Sequence, residues 1–97
     1  MKIRILGGAE DDLAEGYRFY EEQEGGVGDY FLNTIFSEIE SLKSSAGIHR
    51  MVFGRYRMLS KVFPYGIFYT LRDDVVEVRA VLDLRRNPGW IRRRIRR

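Results

Sequence analysis

The side chains best suited to binding chemistry are cations in the second half of the sequence. Arg57 and Lys61 share one predicted strand, Arg79 and Asp83 share another, and arginines crowd the C-terminal end. Guanidinium groups bind phosphates through paired hydrogen bonds, and an indole ring can stack on a base. The candidate binding residues are Arg57, Lys61, Arg79, Asp83, Arg85, Arg86, Trp90, Arg92, Arg93 and Arg94. They predict a surface for an anionic partner; surface salt bridges among Glu77, Arg79 and Asp83 are the alternative interpretation.

The formal charge is divided between the two halves of the chain. Residues 1–45 carry ten acids and four bases, a net charge of −6, whereas residues 46–97 carry thirteen bases and four acids, a net charge of +9. The seven arginines after Leu84 are Arg85, Arg86, Arg92, Arg93, Arg94, Arg96 and Arg97. Because so many like charges repel one another, we predict an acidic partner: nucleic acid, an enzyme bound to nucleic acid, or an acidic protein. A solubilising tail is the alternative.

Most patterns that identify enzymes are missing. Gly25–Gly28 joins two predicted helices instead of following a strand, so it is a turn and not a phosphate-binding loop. His49 lies in a loop without a neighbouring ligand pattern, and Ser44 has no adjacent base. Asp11–Asp12 suits a helix start, Asp73–Asp74 suits a turn, and the chain has no cysteine. We therefore predict no metal and no cofactor, and we commit to no catalytic residue.

The length of 97 residues is that of one domain, which we place at residues 1–97. No apolar run approaches the length of a signal-peptide core or a membrane span, so we expect a small soluble domain in the cytoplasm without membrane contact.

Charged and apolar residues alternate over Lys2–Leu6, which predicts a strand near the start of the chain. Glycines end it, and acids at Glu10–Asp12 then favour a helix start. A second helix is predicted over about Val27–Leu42, since its apolar residues recur at helical spacing. Two helices joined by a short glycine-rich break are expected to pack as an antiparallel hairpin.

The second half has the alternation of strands, predicted at Arg55–Val62, Tyr65–Leu71 and Val75–Asp83. In the third of these, the even positions are apolar and are expected to face the core, while the odd, charged positions point away. Asn87 and Pro88 open a short basic helix or tail. The predicted fold class is α+β, in the order β-α-α-β-β-β: an antiparallel twisted sheet with the helical hairpin on one face and charges on the other.

The same residues carry a family resemblance. The run YRMLSKVFPYGIFY, from Tyr56 to Tyr69, resembles the Arg…Phe-Pro-Tyr…Tyr signature of the RelE/ParE toxins of type II toxin–antitoxin systems. The run AVLDLRRNPGW, from Ala80 to Trp90, is similar to the terminal strand of that family. The helical positions that fit the family's hairpin are Ala9, Asp12, Leu13, Tyr17, Tyr20, Glu21, Gly28 and Phe31. Asp83 stands where relatives often have histidine, and Ser44–Ile48 lacks a proline that many relatives have.

The resemblance implies a toxin that blocks bacterial growth and forms a hetero-oligomer with a cognate acidic antitoxin. RelE-like members are ribosome-dependent mRNA endonucleases, for which Arg57, Lys61 and Arg86 would supply cations. ParE-like members act on DNA gyrase and are not known to catalyse a reaction. RNA cleavage needs a proton carrier, which His49 and Asp83 are poorly suited to provide. We therefore expect a gyrase inhibitor and leave two alternatives: the mRNA endonuclease, and a basic nucleic-acid-binding module.

Overall fold

The fold is a five-stranded sheet covered by helices on both faces. The computed structural model describes residues 1–96, so Arg97, the last of the predicted arginine run, lies outside the described residues. In chain order the elements are β1 (Lys2–Ile5), α1 (Gly7–Gln23), α2 (Val27–Glu40), α3 (Leu42–Ser45), β2 (Arg50–Val52), β3 (Arg55–Leu59), β4 (Tyr65–Arg72), β5 (Val75–Asp83) and α4 (Pro88–Ile95). No helix in this part of the chain is long and apolar enough to cross a membrane.

The sheet has the strand order β1-β5-β4-β3-β2. The pairs β3–β4 and β4–β5 are antiparallel, as predicted, and the additional strand β2 pairs antiparallel with β3. The prediction of a wholly antiparallel sheet was wrong for β1, which pairs parallel with β5, so the sheet is mixed. A parallel neighbour is possible because the helical hairpin between β1 and the later strands provides the crossover. The α+β class is confirmed, with β2 and α3 as elements beyond those predicted.

An irregularity in β5 corrects the predicted assignment of its faces. Phe68 pairs with Ala80 and Tyr69 pairs with Val78, so Arg79 is an extra residue on β5. Such a bulge changes which face the following side chains point to. Val78 therefore packs in the core beneath the helical hairpin, whereas Ala80 packs in a second cluster on the opposite face. The prediction that all even positions of this strand face one core was wrong.

The helical hairpin covers the first face of the sheet. Phe31, Ile35 and Ile39 of α2 and Leu13 of α1 are buried there. The carboxylate of Glu21 accepts hydrogen bonds from backbone N–H groups of the connecting turn, at 3.1 Å from Gly26 and 3.0 Å from Gly28. These bonds satisfy donors at the start of α2 that have no partner within the helix.

Helix α4 covers the second face, which was predicted to be charged. Ile91 and Ile95 are buried against Phe68, Ala80 and Leu82. The helix begins as predicted: the Asn87 side chain accepts hydrogen bonds from the N–H groups of the first turn, and proline occupies the first helical position. Much of the second face is therefore an apolar interface.

Strand β3 ends earlier than predicted, at Leu59 instead of Val62. The Ser60 hydroxyl accepts hydrogen bonds from the backbone N–H groups of Val62 (3.3 Å) and Phe63 (3.1 Å), which bends the chain away from the sheet. Lys61 consequently lies in a bend and not in the strand with Arg57.

Candidate functional site

The basic helix α4 is fixed in place by a nearly buried ion pair. Asp12 of α1 accepts a hydrogen bond from the guanidinium of Arg94, and their side chains are 5% and 11% exposed. The other donor to the same Asp12 oxygen is the backbone N–H of Val81, at 3.0 Å. That N–H lies in the half of β5 that has no strand beside it, because β1 pairs only with Val75–Val78. Asp12 therefore joins α1, the outer edge of β5 and α4.

The charge state of Asp12 depends on opposing effects. Burial raises the pKa of its carboxyl group, and the hydrogen bond and charge of Arg94 partly lower it. Asp12 was predicted in the first turn of a helix, but α1 begins five residues earlier, at Gly7. The acid is therefore a tertiary contact and not a residue of the helix start.

A second ion pair holds the chain between β5 and α4. Arg85 donates to Asp83 through its backbone N–H (2.9 Å), its Nε (3.0 Å) and its Nη2 (2.7 Å). This fork-like pairing lowers the pKa of the Asp83 carboxyl group, chiefly through the Arg85 side chain. Because the bulge reverses the faces, Asp83 pairs with Tyr65 on the hairpin side of the sheet. The prediction that Asp83 and Arg79 share one face of the sheet was therefore wrong.

Arg86 and Trp90 contact one another at the start of α4. The guanidinium carbon of Arg86 lies 3.7 Å from the centre of the indole ring, a cation–π contact. Both residues, with Asp83, line a cleft of about 380 Å³ that is closed on its other side by Phe19 and Glu15 of α1. The mixture of aromatic, cationic and anionic groups suits a protein partner better than a phosphate chain, since the acids would repel phosphates.

Arg79, the bulged residue, is committed to internal contacts. Its Nε donates to the Thr70 hydroxyl at 2.8 Å, and its Nη2 lies 3.4 Å from Glu77. Arg4 of β1 pairs with the other oxygen of the same carboxylate, at 3.8 Å. Arg79 therefore forms the salt bridge with Glu77 that was the alternative to a binding role for this residue.

Arg57 and Lys61 border a groove of about 730 Å³ beside α2 and β3. Arg57 pairs with Phe68 across the sheet, so its side chain leaves from the second face, where its Cγ lies beside Gly66. The backbone N–H of Lys61 donates to Glu38 at 2.8 Å. Arg86 lines the separate cleft described above, so Arg57, Lys61 and Arg86 do not line one cavity.

The remaining predicted residues are on α4. Arg92 and Arg93 are exposed, whereas the Arg94 side chain is nearly buried against Asp12. The structure thus divides the predicted set into a rigidly held basic helix, a cleft at its start, and the basic groove by β3.

Two further arginines lie on the second face, outside the predicted set of binding residues. Arg50 pairs directly with Arg57, and Arg55 follows in the same strand pair. The spacing Arg55-x-Arg57 within one strand was a usable signal, because such residues share a face. Arg50 could not be placed in this way, since β2 contains only three residues and was not predicted.

Several acid–base groups of residues 1–96 have pKa values shifted by burial or by a neighbouring charge. The pKa of Asp83 is lowered, and burial raises the pKa values of Tyr20, Tyr65 and Tyr69. His49 lines the groove with Arg57, but its Nδ1 lies 2.5 Å from the Tyr69 hydroxyl and burial lowers its pKa. Within residues 1–96, no group of three or more acids or histidines is arranged to hold a metal ion.

Comparisons with known proteins place the fold in context. The model of a family described as the ParE toxin of type II toxin–antitoxin system, parDE, matches residues 3–88. Among solved structures, the chain is similar to one described as "Chromosomal ParDE TA system from P. aeruginosa", with a TM-score of 0.75 and 16% identity. The match covers 84% of this chain and 92% of that chain. No match is found among curated proteins.

Proposed function

The chain belongs to the ParE toxin family of type II toxin–antitoxin systems, and on that premise we propose that it inhibits growth by binding DNA gyrase and stalling it on DNA. The binding surface in this proposal is the exposed side of α4 together with the cleft lined by Arg86 and Trp90. A stoichiometric inhibitor needs a rigid surface and no proton transfer.

The observation that carries the proposal is the state of Asp83. This carboxylate is the acid nearest in sequence to the basic helix, and Arg85 holds it in the ionised form. A carboxylate whose pKa is lowered is a poor proton donor at neutral pH. Trp90 has no hydroxyl, and Arg86 covers its ring. These features support inhibition by binding.

The ribosome-dependent mRNA endonuclease is the second candidate, and one observation favours it. His49 lines the same groove as Arg57 and Lys61, which places an imidazole on a groove with two cations. A neutral histidine can accept a proton, and cations can stabilise the charge of a phosphorane. The contact between His49 Nδ1 and the buried Tyr69 hydroxyl occupies one of its two nitrogens, which makes this candidate weaker.

For the antitoxin, we propose an acidic protein that occupies the groove between the two helices of the hairpin, beside Ile5 of β1. Leu13, Tyr17, Leu32 and Phe36 line a largely apolar groove of about 630 Å³ there, and Phe36 is 44% exposed. An amphipathic segment lays its apolar side in such a groove. Acids on the same segment would interact with the basic half of the chain.

Binding of purified gyrase to the toxin tests the proposed target. Arg92→Gln with Arg93→Gln removes two exposed charges from α4, and Arg72→Gln is the control, since Arg72 is an exposed residue at the end of β4. We expect at least a tenfold loss of gyrase affinity for the double variant and less than a twofold change for the control, since charged contacts at an interface are worth about 1–3 kcal/mol together. Equal binding by all three proteins would refute the role of α4.

A further inference from the structure

The second face of β2 and β3 carries a group of arginines that the proposed function does not use. We name it the strand arginine cluster: Arg50, Arg55 and Arg57. Arg50 is paired directly with Arg57 across the antiparallel ladder, and Arg55 lies on the same side two residues away. Like charges in directly opposed positions destabilise a sheet. The fold thus contains an unfavourable arrangement that needs an explanation.

Contacts within the protein do not relieve this repulsion. In the part of the chain that the structure describes, no ion pair involves the strand arginine cluster; the carboxylates that form ion pairs are Asp12, Glu40, Glu77 and Asp83. The Nε atoms of Arg55 and Arg57 are buried and have no hydrogen-bond partner in residues 1–96. Glu38 lines the adjoining groove and forms no ion pair with the cluster: one carboxylate oxygen accepts from the backbone N–H of Lys61, and the other has no hydrogen-bond partner in residues 1–96.

The cluster extends towards helix α4. Val52, between the arginines of β2 and β3, packs with the apolar cluster formed by Ile91 and Ile95. Arg94 leaves one flank of α4 to reach Asp12. At 3.6 residues per turn, Arg92 and Arg96 lie on the opposite flank, and both are exposed. Up to five guanidinium groups therefore surround one side of the sheet.

We propose that the strand arginine cluster binds the backbone phosphates of duplex DNA. Guanidinium groups pair with phosphate oxygens, and neutralising phosphates releases counterions from the duplex. A single-stranded partner is less suitable, because such sites add aromatic rings on which bases stack. The strand residues of this face are Arg50, Val52, Arg55, Arg57 and Leu59, none of them aromatic, and the exposed ring of this hairpin, Phe53, lies in its turn. This proposal goes beyond gyrase inhibition and stands independently of it.

The salt dependence of DNA binding gives the expected size of the effect. Each neutralised phosphate contributes about −0.9 to the slope of log affinity against log salt. Three contacts give a slope of about −2.7, and affinity then falls about 40-fold between 50 and 200 mM KCl. Arg50→Gln with Arg57→Gln leaves one of these contacts, with a slope near −1 and a fall of only about fourfold.

The experiment measures binding of the purified toxin to a fluorescent 20-base-pair duplex and to a single-stranded RNA of equal length, without gyrase. The control is Lys43→Gln, which removes an exposed charge on α3, in the layer of the helical hairpin. The proposal is supported if the double variant flattens the slope of log affinity against log salt by about two and the control changes it by less than one. The duplex must also bind more tightly than the RNA. An unchanged slope in the double variant, or tighter binding to RNA, would overturn the proposal.

Thermal unfolding provides an independent readout that also shows whether the variants fold. Because Arg50→Gln removes repulsion from Arg57 and Arg50 is exposed, we expect its Tm to rise by about 1–2 °C while DNA binding weakens. A lower Tm for Arg50→Gln would mean that the pair is not repulsive in the native protein, and the premise of the proposal would be wrong.

Discussion

Replacing Asp12 by alanine is expected to destabilise the protein by about 3–5 kcal/mol, because it leaves the Arg94 guanidinium without its acid in a nearly dry contact. It also removes the acceptor for the Val81 N–H at the outer edge of β5. Domains of this size are stable by about 5–15 kcal/mol in total, so this one substitution removes a large part. Because each kcal/mol of lost stability lowers Tm by about 4–8 °C in a domain of this size, Tm is expected to fall by more than about 10 °C.

Asp12→Asn separates the two contributions. The asparagine oxygen can still accept from Val81, so this variant is expected to lose about 1–2 kcal/mol less than alanine. Combining Asp12→Asn with Arg94→Met removes the charge that would otherwise remain buried alone. The double variant is therefore expected to recover about 1–3 kcal/mol relative to the sum of the two single variants.

The pH dependence of Arg94→Met follows from the Asp12 carboxyl group. Its pKa is already above 3.8, and loss of the guanidinium raises it further. An acid whose pKa is higher in the folded state stabilises that state below its unfolded pKa, and this contribution is lost as pH rises through the folded pKa. The deficit of Arg94→Met relative to the natural sequence is therefore expected to grow with pH.

Urea denaturation followed by circular dichroism, at pH values from 3 to 8, measures all of these quantities. The control is Glu40→Gln, because the pair of Glu40 with Lys43 is exposed and is worth less than about 0.5 kcal/mol. Two results would refute the account: Asp12→Ala within 0.5 kcal/mol of the natural sequence, or strictly additive single and double variants.

Three further predictions concern packing, backbone strain and charge. Gly16→Ala is expected to cost about 1–3 kcal/mol in denaturation experiments, since its Cβ would lie 2.6 Å from the Phe31 ring, whereas Gly7→Ala meets no atom within 4 Å and changes little. Phe53→Asn is expected to stabilise by about 0.5–1 kcal/mol, because Phe53 has φ of 52° and asparagine tolerates that conformation better; a loss of Tm would contradict this. Asp83→Asn is expected to lower Tm at neutral pH, and this loss is expected to shrink as pH falls towards the lowered pKa of Asp83, since that carboxylate stabilises the fold when ionised; a loss that stays constant as pH is lowered would argue against this.

Local sequence patterns predicted most elements, because each depends on nearby residues. The alternation of Val75–Asp83 and the cap at Asn87 predicted a strand and a helix that the structure contains. The bulge at Arg79 had no local sign, because it depends on the pairing of β5 with β4. It determines which side chains face the hairpin and which face α4, and this explains why Asp83 and Arg79 were wrongly grouped.

The candidate site was less predictable than the fold. Strand β2 was not predicted because the turn after it has Phe53, with φ of 52°, before Gly54. Hairpins of this kind normally have asparagine or aspartate at the position of Phe53. Without β2, the pairing of Arg50 with Arg57 could not be seen. Asp12 was assigned to a helix start, since no local pattern shows that an acid on α1 contacts Arg94, 82 residues later.

DNA supercoiling by purified gyrase tests the central claim most directly. Relaxed plasmid, ATP and gyrase are incubated with increasing toxin, and in parallel the toxin is added to ribosomes programmed with mRNA. The proposed function predicts that supercoiling stops and that gyrase remains bound to cleaved DNA, while the mRNA stays intact. Normal supercoiling together with cleavage of the ribosome-bound mRNA would contradict it and establish the endonuclease instead.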